Sequence, residues 1–198
     1  MKLSFSSVRR QDGFSLLELT FVVAIFGALS TMAMMAAASW AEHAQADGAI
    51  EQVRTALREA RERAIADRRN VEIRFPNTTQ IQLVRHDVVG NTESGETVLA
   101  TYTLEGDMTF RLPYGVYDLS GADDLMAGTG DNGLNVGSAT DQIFTSEGTF
   151  VDQAGDTLNM ELFIAHGNDK LSTRALTVFG PTAFIRGYLW NGRTWTQE

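Results

Sequence analysis

The polar and apolar positions of this chain change period three times. Residues 1–13 are polar, with Lys2, Arg9 and Arg10 against Asp12. A hydrophobic run opens at Phe14, and Leu19 to Ala41 supplies 23 successive residues without a charge. As a helix that run measures about 35 Å, enough to cross a hydrocarbon core of about 30 Å. Its first half is rich in Leu, Val, Ile and Phe, while its second half is mostly Ala and Met. Residues 42–69 then carry a helical stripe, Ile50, Val53, Leu57, Ala60 and Ala64, opposite Glu51, Arg54, Arg58, Arg61, Glu62 and Arg68. Glu59, Glu62 and Asp67 interleave with the arginines, which makes this a solvated face rather than a basic patch. Gly48 is the weakest helix former there and marks a candidate bend.

From Val71 onward the period is two. Val71, Ile73 and Phe75 alternate, a Pro76-Asn77-Thr78-Thr79 turn follows, and Ile81 and Leu83 continue the alternation, so a hairpin is predicted. Residues 98–104 and 108–112 are predicted as a second pair, turning at Glu105-Gly106-Asp107. Further strands are predicted at residues 159–165, 175–179 and 183–190, with turns at Gly167-Asn168-Asp169 and Gly180-Pro181. Asn191-Gly192 is a tight-turn signal that brings Trp190 and Trp195 together as packing. The predicted fold class is α+β, one long amino-terminal helix packed on an antiparallel sheet. Its divisions are a leader at 1–13, a membrane or filament-core helix at 14–41, an amphipathic continuation at 42–69 and a β-rich head at 70–198.

Residues 113–142 break the pattern with six glycines and five aspartates. Asp123, Asp124 and Asp131 are calcium-type ligands, but they lack EF-hand spacing and a closing glutamate, so a solvated loop is the reading. Tyr114, Tyr117, Leu119, Leu125 and Met126 are the alternative, a partner-docking surface.

Composition narrows the chemistry. The chain has 198 residues, no cysteine and a net charge of −9. Without cysteine there is no disulfide, thiolate metal site or cysteine nucleophile. An acidic body repels nucleic acid unless a local basic patch overrides it. Arg174, Arg186 and Arg193, with Trp190 and Trp195 for stacking, are the candidate patch. His43, His86 and His166 are scattered without metal-ligand spacing. There is no phosphate loop, dinucleotide motif or nucleophile elbow, so no catalytic residue, cofactor or metal is expected.

The informative residue is Glu18. A carboxylate in hydrocarbon costs several kcal/mol, so it needs a partner or a task. A cleaved signal peptide ending near Ala36-Ala37-Ala38-Ser39, or a plain signal anchor ahead of a periplasmic binding domain, leaves Glu18 unexplained. A cut between Gly13 and Phe14 explains it. The new α-amine of a neighbouring subunit then neutralises Glu18 at one axial stagger of packed helices.

The stretch Gly13-Phe14-Ser15-Leu16-Leu17-Glu18-Leu19, followed by an apolar helix, resembles the class III signal of type IV pilins and type II secretion pseudopilins. The resemblance implies that Gly13 precedes the prepilin peptidase cut, that Phe14 is the N-methylated first residue and that Glu18 is the assembly glutamate. Many members carry a proline far along the membrane segment; here that region reads Thr31-Met32-Ala33-Met34-Met35. Ala60-Arg61, Ala64 and the strand from Val71 to Phe75 are similar to the helix-to-strand junction of the GspH/FimT minor subunits. Residues 143–149 resemble that group's phenylalanine-to-glycine turn.

The resemblance implies a non-enzymatic minor pseudopilin of a type II secretion pseudopilus that assists protein export. The alternative is a FimT-like minor pilin of a type IV pilus, in a group where some members take up DNA. Expected partners are sibling subunits, the prepilin peptidase and the inner-membrane assembly platform. The expected location is the bacterial inner membrane, single-pass, with a cytoplasmic amino terminus and a periplasmic head.

Overall fold

The structure, a computed structural model, describes residues 15–89, 92–119, 133–137 and 139–198. The architecture is α+β. The chain divides into two compact units, Met1–Trp40 and Ala41–Glu198. Helix α1, Leu16–Asp67, contributes to both.

In the first unit α1 exposes its large apolar side chains, with Leu19, Phe21 and Phe26 each more than half accessible. Leu16–Met34 is 19 residues of span-like composition, about 28 Å of helix. Its hydroxyls are satisfied within the helix, as an apolar surrounding requires. Thr20 donates to the Leu17 carbonyl (2.8 Å), Ser30 to Phe26 (2.7 Å) and Thr31 to Ala28 (2.8 Å).

In the second unit the stripe read from the sequence is the core. Ala46, Ala49, Ile50, Val53, Ala56, Leu57, Ala60 and Ala64 are fully buried. Five of these eight are alanines, which lets the backbone of α1 approach the strands closely. The helix continues unbroken through Gly48. It stops at Arg68, whose φ of 53° places it in the left-handed region, and Arg69 N–H bonds back to the Ala64 carbonyl at 3.2 Å. That is a Schellman-type end, built on arginine where glycine is usual.

The strands are β1 (Val71–Asn77), β2 (Gln80–Val89), β3 (Thr92–Thr103), β4 (Met108–Phe110), β5 (Leu134–Asn135), β6 (Gln142–Phe144), β7 (Phe150–Val151), β8 (Met160–His166), β9 (Arg174–Phe179), β10 (Phe184–Trp190) and β11 (Trp195–Gln197). They form two antiparallel sheets, ordered β3-β2-β1-β6-β7 and β11-β10-β9-β8-β4, with β5 also on β8. Both sheets send side chains into the core of the α1 stripe: Ile73, Leu83 and Phe144 from the first, Met160, Leu176 and Val178 from the second. Phe75 and Phe110, one from each sheet, meet edge to face at 5.2 Å.

The first hairpin and the strands near 160, 175 and 184 lie where the alternation predicts them. The second predicted hairpin does not exist. Residues 98–103 belong to β3 and pair with β2, Leu83 facing Ala100, whereas β4 pairs with β8, Met108 facing His166. The reason is local closure. A short connection makes β3 the cheapest partner for the free edge of β2. The stretch at 105–107, with Gly106 at φ 64°, then carries the chain from one sheet to the other.

The irregular stretch is partly anchored. Leu119 is buried with Phe163, Ala175 and Tyr188 on the face of the second sheet turned away from α1, with Trp195 packed beside them. Trp190 and Trp195 are register partners with rings 5.3 Å apart, and Trp195 Nε1–H donates to the Tyr117 carbonyl at 2.8 Å. Gly133 closes the returning end of the stretch. Its φ is 74°, and a Cβ there would lie 2.2 Å from the Arg111 nitrogen. Asp123, Asp124, Asp131, Leu125 and Met126 lie outside the described residues.

Leu57→Ala is expected to destabilise the head by about 2–5 kcal/mol, because its fully buried side chain leaves a cavity. Gly48→Ala is expected to be neutral or stabilising by up to about 1 kcal/mol, since nothing lies within 4 Å of its Cβ position. Urea unfolding of the full chain in detergent checks both.

Candidate functional site

Glu18 sits in the first turn of α1, fully in the exposed apolar part of the helix. An acid there complements the positive end of the helix dipole. Gly13 and Phe14 lie outside the described residues. Glu18 is four residues after Phe14 in the sequence. The arrangement is an apolar cylinder with one carboxylate near its start, a form suited to lateral packing with other helices.

On the head, the three arginines singled out for nucleic acid do not share a surface. Arg174 is 2% exposed. Its Nε donates to Asp47 Oδ1 at 2.7 Å and its Nη1 to the carbonyls of Leu171 and Thr173, so it pins β9 to α1. Arg174 pairs in register with Leu189, and Arg186 with Thr177, which puts Arg174 and Arg186 on opposite faces of the second sheet. Arg186 lies 5.4 Å from the Phe184 ring. Arg193 is exposed in the turn between β10 and β11, and Trp190 is buried rather than free to stack.

Residues 8–34 match the family model for the prokaryotic N-terminal methylation motif. The chain carries the type IV pilin and pseudopilin signature. No curated protein and no solved structure matches it. The matched segment ends at Met34, the end of the span-like part of α1. The motif therefore covers the anchor of this pilin-type chain, and its head is described by its own geometry alone.

The head holds a polar constellation that sequence reading missed. The β2–β3 register places His86 opposite Glu96, and β1 brings Glu72 and Arg74 alongside. The signal was present in the alternation, since Glu72 and Arg74 occupy the β1 positions between the core residues Val71, Ile73 and Phe75. Glu72, His86 and Glu96 have potential ligand atoms within 4.8 Å of one another, a donor set able to take a metal. Yet Arg74 already forks both carboxylates: Nε and Nη2 to Glu72, Nη1 and Nη2 to Glu96, all at 2.6 Å. His86 Nε2 approaches Glu72 Oε2 at 3.0 Å. The cation of this cluster is Arg74, and the cluster ties three strands together.

The Arg74 guanidinium holds the Glu96 carboxyl below its ordinary range. Nearby, the Thr97 hydroxyl first and Arg85 second do the same for Asp87. A carboxyl depressed in the folded state stabilises the fold above its unfolded pKa, and that contribution disappears as pH falls through the folded value. Glu96→Gln is therefore expected to lower the urea midpoint near neutral pH. The gap from the parent protein closes on acidification below the ordinary glutamate range. A gap that persists unchanged into acid would show that Glu96 acts by packing instead.

Proposed function

We propose that this protein is a minor pseudopilin, a structural subunit of the pseudopilus that assists export in a type II secretion system. The observation that carries the reading is the methylation motif at residues 8–34, laid over an apolar helix with the single acid Glu18. In this reading hydrolysis of the Gly13–Phe14 peptide bond leaves a carboxylate on the leader and an α-amine on Phe14, which is then methylated. The amine of one subunit neutralises Glu18 of its neighbour. Because an unpaired carboxylate in hydrocarbon costs several kcal/mol, the pair rewards one axial register and penalises others.

The remaining roles follow from the same reading. The chain sits single-pass in the inner membrane with its head in the periplasm. Its partners are sibling subunits, the prepilin peptidase that cuts it and the assembly platform that extracts it. Its task is structural, and it is an enzyme's substrate. The alternative, a FimT-like minor pilin of a type IV pilus, rests on the same motif and the similar helix-to-strand junction. DNA uptake gains nothing from Arg174, which is committed to Asp47. Neighbouring genes separate the two machines: a secretin and secretion platform for one, a retraction motor for the other.

The mature amino terminus decides the reading. Mass spectrometry is expected to find a chain beginning at methylated Phe14; a chain beginning near Ser39, or an intact Met1, overturns it. Glu18→Ala is expected to be cut and membrane-bound but missing from sheared filaments. Normal incorporation of that variant would remove the pairing argument.

A further inference from the structure

The last turns of α1 and the turn between β9 and β10 enclose a groove of about 310 Å³ on the head, walled by Arg58, Arg61, Glu62 and Ile65 on one side and by Phe184 on the other. A second hollow, of about 380 Å³, continues past Phe184 to Phe179. Three large apolar side chains stay exposed here: Ile65 at 46%, Phe184 at 55% and Phe179 at 37%. A cluster of this kind on a soluble surface marks an interaction site more often than chance exposure does.

The walls are fixed rather than loose. Gly148 packs against Ile65 and Arg61 so closely that a Cβ there would lie 2.9 Å from Ile65 Cδ1, and Arg61 Nε donates to the Gly148 carbonyl at 3.1 Å. Across the groove Ala183 is buried with φ at 49°, a left-handed conformation that is strained for an alanine. Strain of that kind persists only where its surroundings impose it, and it gathers at functional sites. Here it sits next to Phe184, at the point where the turn enters β10.

The rim carries Arg58, Arg61 and Glu62, one positive charge in excess. Of the four arginines on α1, Arg54 pairs with Glu51 and Glu198, Arg63 pairs with Glu59, and Arg61 holds a carbonyl. Arg58 is exposed and has no hydrogen bond or ion pair among the described residues. The contrast has a physical cause. Glu59 precedes Arg63 by four positions, the favourable order on a helix, whereas Arg58 precedes Glu62, the unfavourable one. In a chain of net charge −9, the groove thus presents an uncommitted guanidinium beside an apolar bed.

We propose that this groove docks an acidic segment of a sibling subunit, with one apolar side chain seated against Ile65 and Phe184 and its carboxylates facing Arg58 and Arg61. The chemistry is charge complementarity around an apolar anchor, the usual division between rim and centre of an interface. That the partner is a sibling subunit rests on the filament reading; the chemistry of the groove does not.

The test uses the full chain, purified in detergent from cells that contain the prepilin peptidase. The probe is a fluorescent peptide of sequence Glu-Asp-Leu-Phe-Asp-Glu, followed by anisotropy. Binding is expected to weaken about tenfold or more in Arg58→Glu and in Phe184→Ser, and to weaken as ionic strength rises from about 0.05 M to about 0.5 M. Both sites are exposed, and unchanged thermal unfolding confirms that the variants are folded. Arg193→Glu, a charge reversal in the β10–β11 turn, is expected to bind as the parent does. Equal weakening by Arg193→Glu, no effect of Arg58→Glu, or equal binding of a lysine-for-acid peptide would each overturn the proposal. The amino terminus of the same sample separates the two readings. A methylated Phe14 without peptide binding removes the groove and keeps the filament. Specific binding by a chain starting elsewhere keeps the groove and removes the filament.

Discussion

The head depends on one packing constraint: the alanine-lined stripe of α1 must be covered by two sheets at once. A helix with five alanines among its eight buried positions, beside Ile50, Val53 and Leu57, offers limited side-chain volume, so close approach of backbones on both flanks contributes to its stability. A single sheet covers one side of such a stripe. The division into β3-β2-β1-β6-β7 and β11-β10-β9-β8-β4 supplies the other. The larger residues complete the core: Phe75 and Phe110 meet between the two sheets, and Phe144 and Phe150 pack together within the first.

That constraint explains where the polar groups go. Arg174 is drawn inward because β9 faces the helix near Asp47, and burying a guanidinium requires a carboxylate and carbonyl acceptors together. Glu72 lies on the face of β1 turned away from the stripe, where Arg74 and His86 satisfy it and Arg74 also holds Glu96. The same rule governs the span at the other end of the chain. Within Leu16–Met34 the hydroxyls close on their own helix, whereas Glu18 is a carboxylate in the same exposed apolar stretch.

Much of this was legible in the sequence because it is local. The stripe Ile50, Val53, Leu57, Ala60 and Ala64 follows from helical spacing, and the strands at β1, β8, β9 and β10 follow from alternation. The Trp190–Trp195 pair follows from the turn at Asn191-Gly192. What stayed hidden is non-local. Nothing in residues 98–112 says that the chain changes sheets at Gly106, because pairing to β2 or to β8 satisfies the same alternation. Strand identity likewise leaves Arg174 and Arg186 undistinguished; only the register assigns them to opposite faces. His86 and Glu96 are ten residues apart in the chain and become neighbours through a hairpin whose register shifts twice.

The same distinction separates Glu18 from Arg58. Glu18 is recognisable from its neighbours in sequence, because any carboxylate inside an apolar helix of membrane-spanning length faces the same energetic problem in hydrocarbon. Arg58 carries no such mark. In the sequence it is one arginine of a mixed run, and its neighbours Arg54, Arg61 and Arg63 are all engaged. It becomes distinctive through three facts of the fold: an unfavourable order with Glu62, an apolar wall at Phe184 and a strained Ala183 behind that wall. The methylation motif is thus confined to residues 8–34, whereas the groove beside Phe184 is built by the head from distant segments. Such a surface can vary without disturbing the core, because Arg58, Phe179 and Phe184 are exposed.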